Sequence, residues 1–152
     1  MFGHQPIAPK PDRYACINKA MRRRKEKDIR MQNWNLRHRL WRDAQTLESY
    51  DSQVKQIALN LAFEYHGAVT YRKHKELHFQ PSDKAFFKID CINPEGIHCD
   101  LDLGQEIMSM VHKKKTELTG AKDCQGWQDY ERIGRHRCLC KMNYLIKIEY
   151  QS

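Results

Sequence analysis

The feature that most constrains the fold is a pair of segments, 84–92 and 97–103, that flank the tetrapeptide Asn93-Pro94-Glu95-Gly96. Apolar and polar residues alternate along both segments, which is the period of a strand with one buried face. Proline suits the first central position of a turn and glycine suits a left-handed residue after it, so an antiparallel hairpin is expected. A three-residue loop sets the pairs Lys88 with Asp102, Ile89 with Leu101, Asp90 with Asp100 and Cys91 with Cys99.

Hydrophobic periodicity predicts the elements on either side of this hairpin. Before it, apolar residues at helical spacing predict a helix over 52–66, and one or two short strands follow within 68–79. The apolar face of that helix consists of Val54, Ile57, Ala58, Leu61, Ala62 and Tyr65. After the hairpin, a helix over 104–119 precedes a strand over 138–150 with one apolar face. We therefore expect an α+β domain over 51–152, with the order α-β-β-β-α-β and a mostly antiparallel sheet.

The segment before this domain, residues 1–50, is predicted to be a basic helical arm. After a proline-rich tail over 1–11, helical spacing of apolar residues begins near Arg13 and resumes over 29–49. Residues 1–42 hold twelve Lys/Arg and three acidic residues, a net charge of +9, whereas the whole chain carries +8. Because a solvated helix normally mixes both signs, this one-signed segment favours a polyanionic partner.

Nucleic acid, and DNA rather than RNA, is the partner that this arm predicts. Lysine and arginine neutralise phosphates, and aromatic side chains stack on unpaired bases. The residues predicted to bind it are Arg22, Arg23, Arg24, Lys25, Lys27, Arg30, Arg37, Arg39 and Trp34. Two alternatives stay open: an acidic protein surface as the partner, and packing of Trp34 and Trp41 against the predicted 52–66 helix.

Three aspartates, Asp90, Asp100 and Asp102, fall on one face of the predicted hairpin. Two like charges directly across a ladder are unfavourable, so a compensating cation is expected. Hard oxygen ligands at this density suit Mg²⁺, which bridges carboxylates to substrate phosphates and activates water. The alternative is a solvated polar face on which Lys88 and the basic arm supply the positive charge.

The run Ile89-Asp90-Cys91-Ile92-Asn93-Pro94, followed five residues later by Asp100-Leu101-Asp102, resembles the core of Holliday-junction resolvases of the RusA type. These are small, basic, Mg²⁺-dependent endonucleases that are common in phages. The family also has an aspartate after the next helix and a glycine, and Asp123-Cys124-Gln125 stands at that place. This resemblance covers roughly 60 residues and nothing in the arm.

The resemblance implies that Asp100, Asp102 and Asp123 hold Mg²⁺ at the catalytic site, with Asp90 as a further catalytic candidate. It also implies a homodimer, since a resolvase cuts two strands. Leucine and glutamate stand at 103 and 106, where the family has asparagine and lysine, so a different chemistry or a fold that no longer cuts is the alternative. The PD-(D/E)xK nuclease class, with Glu64 beside the hairpin aspartates, is a related interpretation.

The chain has six cysteines, and their spacing suggests a second kind of site. Nothing in the sequence indicates secretion, so reduced thiols are expected rather than a disulfide framework. Thiolate and imidazole ligands suit Zn²⁺, and the residues that could supply them are Cys124, His136, Cys138 and Cys140. The alternative is that these cysteines line the core face of a strand.

The sequence predicts a cytoplasmic protein that does not enter a membrane. No stretch approaches the ~18–20 apolar residues that a membrane span requires. The first residues, MFGHQPIAPKPDRYA, lack the apolar core of a signal peptide.

Overall fold

The computed structural model describes residues 13–67, 69–94, 96–130 and 134–152, and the side chains of 19–67, 69–94, 96–128 and 136–152. The predicted tail over 1–11 lies outside the described residues. In chain order the elements are α1 (Arg13–Asp43), α2 (Leu47–Tyr50), β1 (Val54–His66), β2 (Thr70–Phe79), β3 (Lys88–Asp90), β4 (Asp100–Asp102), α3 (Gly104–Lys113), β5 (Glu117–Asp123), β6 (Trp127–Tyr130), β7 (Gly134–Arg137) and β8 (Cys140–Tyr150). The fold is α+β, as predicted.

The main sheet has four strands in the order β2-β1-β8-β5, and every neighbouring pair is antiparallel. Two further sheets have two strands each, β3–β4 and β6–β7. The β6–β7 hairpin was not among the predicted elements. The core lies between the main sheet and α3, whose Ile107, Met110 and Val111 are buried. Leu47 of α2, which is fully buried, joins the same core.

The predicted helix over 52–66 is wrong, because residues 54–66 form the long strand β1. Every second residue from Ile57 to Tyr65 is apolar, and all of these are buried. Ala58 and Ala62 also gave the segment a helical period, but they lie on the other face, half-buried and exposed respectively. Strand β1 pairs with β2 on one side and β8 on the other, so two hydrogen-bonded ladders fix its extended backbone.

Three other predicted bounds differ from the structure. The two predicted helical stretches of the arm are joined in one continuous helix, α1. Within the described residues of 68–79 the structure has one strand, β2, rather than two short ones. Helix α3 ends at Lys113 because Lys114 is left-handed (φ 56°), and the expected last part of that helix belongs to β5. A left-handed residue at this point terminates the helix through its backbone, without a glycine.

The predicted hairpin register is confirmed. The ladder joins Lys88 to Asp102, Ile89 to Leu101 and Asp90 to Asp100. The Gly96 N–H donates to the Asn93 carbonyl over 3.2 Å, which closes the turn. Among the described residues of this loop, His98 is left-handed (φ 54°), whereas Gly96, where the sequence predicts such a residue, is not. The paired part of the hairpin is short: the described residues of 91–99 form an irregular loop beyond it, so the predicted pair of Cys91 with Cys99 is not part of the ladder.

The predicted apolar face of the last strand is also confirmed. Along β8 the buried side chains are Cys140, Met142, Ile146 and Ile148. This strand lies between β1 and β5, so both of its edges are paired. An interior strand of this kind accounts for the regular apolar face.

Candidate functional site

Helix α1 runs along the β3–β4 hairpin and encloses a cleft of about 400 Å³ with it. From the helix, the cleft is lined by Arg30, Asn33, Trp34, Leu36, Arg37 and Leu40. From the hairpin and its loop, it is lined by Lys88, Asp90, Gly96, His98, Cys99 and Asp100. The floor of the cleft is therefore the loop that carries two of the cysteines, and its wall is the basic helix.

Polar contacts hold α1 to the rest of the chain. Arg37 forms an ion pair with Asp90, donates to the Lys88 carbonyl over 2.5 Å, and lies 5.9 Å from the centre of the Phe86 ring. At the end of the helix, Lys84 Nζ donates to the Arg42 carbonyl over 3.0 Å. A cation at the carboxyl end of a helix also complements its dipole. The direct contacts that hold α1 to the hairpin are thus polar.

Because polar residues make these contacts, large apolar side chains of α1 remain exposed. Trp34 is 61% exposed and Trp41 is 45% exposed. His38 lies between them: its ring centre is 5.3 Å from that of Trp34 at 5°, and 5.7 Å from that of Trp41 at 31°. We call Trp34, His38 and Trp41 the aromatic row. These rings face solvent, and a second, smaller cleft of about 330 Å³ separates them from Phe86 and Lys88.

The predicted nucleic-acid-binding residues all lie on α1. The helix carries eleven Lys/Arg and three acidic residues, a net +8, over about 45 Å. Those that are exposed are Arg22, Arg23, Arg24, Lys25, Lys27, Arg39 and Trp34. Arg30 and Arg37 are half-buried, and they face the cleft.

Each hairpin aspartate has a separate partner. Asp90 is paired with Arg37, and the Asp100 carboxylate lies 3.8 Å from Lys88 Nζ. Asp102 Oδ1 accepts a hydrogen bond from the Gly104 N–H over 2.8 Å, at the start of α3. Within the fold, Asp90 and Asp100 thus form ion pairs, and Asp102 accepts a hydrogen bond.

Asp123 and Glu64, the other acidic residues that the sequence singled out, lie on the main sheet. Asp123 is exposed at the end of β5. Glu64 is on β1, where its carboxylate accepts a hydrogen bond from Arg72 Nε over 3.0 Å. That hydrogen bond holds the pKa of Glu64 below its ordinary value.

The most concentrated set of potential metal ligands in the described part of the chain is sulfur. The Sγ atoms of Cys91, Cys99, Cys124 and Cys138 all lie within 4.8 Å of one another. The first two thiols are half-buried, the other two are buried, and all four are free. We call these residues the cysteine cluster. Within the described residues, no set of three or more carboxylates comes together in this way.

Three loops bring the cysteine cluster together. Cys91 and Cys99 stand at the two ends of the irregular β3–β4 loop, whereas Cys124 follows β5 and Cys138 follows β7. The Ile97 and Trp127 backbones form a bridge between the β3–β4 loop and the start of β6, with N–H to carbonyl distances of 2.7 and 2.9 Å. The cluster therefore lies where the hairpin meets the main sheet.

Backbone and side-chain N–H groups point at the sulfurs. The N–H of Asn93 lies 3.4 Å from Cys91 Sγ, and the N–H of Gly126 lies 3.4 Å from Cys124 Sγ. Asn93 Nδ2 lies 3.4 Å from Cys138 Sγ. Asn93 is itself buried, and its Nδ2 also donates to Gln128 Oε1 over 2.9 Å. Donors of this kind favour the negatively charged form of sulfur.

The thiols also form hydrogen bonds with one another. Hydrogen bonds from Cys124, Cys91 and Cys99 lower the pKa of Cys138. The hydrogen bond between Cys124 and Cys138 in turn raises the pKa of Cys124. These hydrogen bonds favour ionisation of Cys138 over ionisation of Cys124.

The zinc ligands suggested by the sequence overlap this cluster in two of four positions. Cys124 and Cys138 belong to it, whereas His136 and Cys140 do not. Cys140 is buried in β8 beside Cys91, and its pKa is lowered by a hydrogen bond with that residue. The signal for the other two ligands was the hairpin register, which sets Cys91 opposite Cys99.

Comparisons of the chain with protein-family models, curated proteins and solved structures find no match. Within the described residues, none of the helices combines the length and the apolar character needed to span a bilayer.

Proposed function

We propose that the protein binds nucleic acid along helix α1, with phosphates contacting its basic side chains and unpaired bases stacking on the aromatic row. The observation that carries this proposal is the combination on one helix of net charge +8 and three solvent-facing rings in series. A helix that served only to cover the core would bury its tryptophans rather than expose them.

The charge of α1 supports phosphate as the anion. Binding of lysine and arginine to a nucleic-acid backbone releases condensed counterions, and this entropy gain drives sequence-independent affinity. The positive residues extend from one end of the helix to the other, so a strand could follow them for several nucleotides. Arg30 and Arg37 would continue this path into the cleft.

The aromatic row supports a single-stranded ligand. The faces of bases in a duplex are covered by their neighbours, whereas an unpaired base offers both faces to a side-chain ring. Trp34 and Trp41 are exposed enough to accept such a base, and Arg37 and Lys88 stand beside them. We propose single-stranded DNA, or an unpaired segment of a DNA structure, as the ligand.

A metal-dependent nuclease receives less support from these residues. Two-metal or one-metal phosphodiester cleavage requires carboxylates that converge on the ion. Asp90 and Asp100 are opposite each other, but Arg37 and Lys88 balance their charge, and Asp102 binds the start of α3. We therefore propose a binding protein rather than an endonuclease of the RusA type.

One experiment tests both the proposal and its rival. Labelled single-stranded DNA, single-stranded RNA, duplex DNA and a four-way junction are incubated with Mg²⁺ and either the wild-type protein or the Asp100→Asn/Asp102→Asn variant. We expect both proteins to bind the single strand with equal affinity and to leave it intact. Cleavage by the wild type alone would replace the proposal with a metal-dependent nuclease. A lack of binding to all four ligands would overturn it.

A further inference from the structure

We infer that the cysteine cluster is a structural Zn²⁺ site, in which Cys91, Cys99, Cys124 and Cys138 bind one ion through their Sγ atoms. Four thiolates complete the tetrahedral shell of zinc and leave no position for water or substrate. The ion would therefore stabilise the fold and take no part in a reaction. This inference is independent of the proposed nucleic-acid binding.

The spacing of the sulfurs fits a zinc tetrahedron. With zinc–sulfur bonds of about 2.3 Å, the sulfurs at the corners stand about 3.8 Å apart. Cys91 Sγ and Cys138 Sγ are separated by 3.7 Å, and all four sulfurs lie within 4.8 Å of one another. Binding converts the four thiols to thiolates and releases their protons to solvent, so the completed site carries a charge of about −2.

The surroundings of the sulfurs fit a metal-bound form. The N–H groups of Asn93 and Gly126 each lie 3.4 Å from the sulfur two residues earlier, and the Asn93 side chain reaches a third sulfur. Such N–H donors orient thiolate ligands and partly neutralise them. On the outer side, Arg30 and Lys88 line the same cleft as Cys99, where they would face the remaining negative charge.

Two glycines make room for the sulfur of Cys99. A Cβ at Gly96 would lie 2.3 Å from Cys99 Sγ, and a Cβ at Gly126 would lie 2.4 Å from the same atom. These distances are far below van der Waals contact, so any other residue at either position would displace the sulfur. The backbone is thus arranged closely around the Cys99 thiol.

A zinc ion would supply a connection that the secondary structure lacks. The ligands come from the loop after β3, the loop before β4, the segment after β5 and the segment after β7. The described residues of 91–99 and 124–126 contain no helix, and outside one isolated bridge they contain no strand. Joining them at one ion would fix the hairpin, and with it the floor of the cleft, to the main sheet.

The test uses the whole 152-residue chain, purified with a reductant and without added metal. We expect native mass spectrometry and elemental analysis to find about one zinc per chain. Replacement by Co²⁺ should give the strong visible absorption of a tetrahedral cobalt–thiolate site. Iron in place of zinc, two disulfides within the cluster, or a folded protein that is isolated without bound metal and whose four thiols react with an alkylating agent would each overturn the inference.

Matched variants test the ligand assignment. Cys99→Ser and Cys124→Ser should reduce the bound zinc severalfold, whereas Cys140→Ser and His136→Gln should retain about one ion. Zinc loss in the second pair, with retention in the first, would overturn the assignment. Should the first pair fail to fold, the wild type provides the test. Chelator should lower its Tm, and Zn²⁺, but not Mg²⁺, should restore it; an unchanged Tm in metal-free protein would overturn the inference.

Discussion

Asp90 and Asp100 lie directly opposite each other in the β3–β4 ladder, and each carboxylate faces a different cation. Asp90 is paired with Arg37 from α1, and Asp100 lies 3.8 Å from Lys88 Nζ on the hairpin itself. Like charges across a ladder repel each other, and these two cations offset the repulsion. The hairpin therefore depends on α1, and the ion pair that balances Asp90 also positions the helix.

We predict that Arg37→Gln lowers the free energy of unfolding by about 1–2 kcal/mol, because it removes the ion pair and the bond to the Lys88 carbonyl. A double-mutant cycle with Asp90→Asn, measured by urea unfolding, should give a coupling energy of about 0.5–1 kcal/mol, as expected for a pair with an exposed carboxylate. Arg39→Gln, on the exposed side of the helix, is the control and should be neutral. Additive effects of Arg37→Gln and Asp90→Asn would contradict the pairing.

A second prediction concerns β1, where the helical and extended interpretations place different residues in the core. Phe63 is buried and Ala62 is exposed. We expect Phe63→Ala to cost about 3–5 kcal/mol of unfolding free energy. In contrast, Ala62→Lys should change it by less than about 0.5 kcal/mol, as at other exposed positions. Equal losses in the two variants, measured by denaturant unfolding, would contradict the strand.

The same segment explains why sequence reasoning failed there and succeeded at the hairpin. From Ile57 to Tyr65 every second residue is large and apolar, which is the period of a strand. Ala58 and Ala62 add apolar residues at helical spacing, so the same segment also fits a helix. The choice depends on the ladders to β2 and β8, which are contacts distant in sequence. At the hairpin, the alternation of both segments determines the register locally, so the pairs 88–102, 89–101 and 90–100 are predicted correctly, whereas Cys91 and Cys99 lie beyond the ladder.

The two candidate sites also differ in how far the sequence alone identifies their residues. The charge and aromatic content of α1 are properties of the sequence alone, so its candidate residues could be identified directly. The cysteine cluster combines residues from 91 to 138, and no short motif such as C-x-x-C marks it. Only the meeting of the hairpin loop with the segments after β5 and β7 brings its four sulfurs together, which spacing does not reveal.

A third prediction concerns Gly126, which lets the segment after β5 approach the hairpin loop. A Cβ at this position would lie 2.6 Å from the Ile97 carbonyl oxygen and 2.8 Å from Cys99 Cα. Since these are backbone atoms, they cannot rotate away. We expect Gly126→Ala to cost about 1–3 kcal/mol of unfolding free energy, as other forms of overpacking do.

The control for that variant is Gly104→Ala in the first turn of α3. The nearest atom to its Cβ would be Asp102 Oδ1 at 3.0 Å, which belongs to a side chain and can move. Alanine also favours the helix by up to about 1 kcal/mol relative to glycine. The two variants should therefore differ clearly in urea unfolding. Similar midpoints would show that the space around Gly126 is not limiting.

A fourth prediction addresses the aromatic row. Removing a ring on which a base stacks costs about 1–3 kcal/mol of binding free energy. We expect Trp34→Ala and Trp41→Ala each to weaken binding of single-stranded DNA by this amount while leaving unfolding nearly unchanged, since both rings are exposed. Fluorescence anisotropy measures the first quantity and thermal unfolding the second. Trp127→Phe, which changes a tryptophan of β6 rather than of α1, is the control for binding. Full affinity in both α1 variants would exclude stacking on the row.

The last prediction separates phosphate binding by α1 from general attraction to a basic protein. Arg22, Arg23 and Arg24 are exposed on α1, and Lys113, Lys114 and Lys115 are exposed at the end of α3. Replacing either set with glutamine lowers the net charge of the protein by the same amount.

For single strands, each phosphate contact contributes about −0.7 to the slope of log K against log salt. If the three arginines contact phosphates, their replacement should reduce the magnitude of that slope by about 2. It should also weaken binding to DNA of every nucleotide sequence. Replacement of the three lysines should leave the slope nearly unchanged. Equal changes in the two variants, measured by anisotropy over a salt series, would mean that net charge and not helix α1 accounts for the affinity.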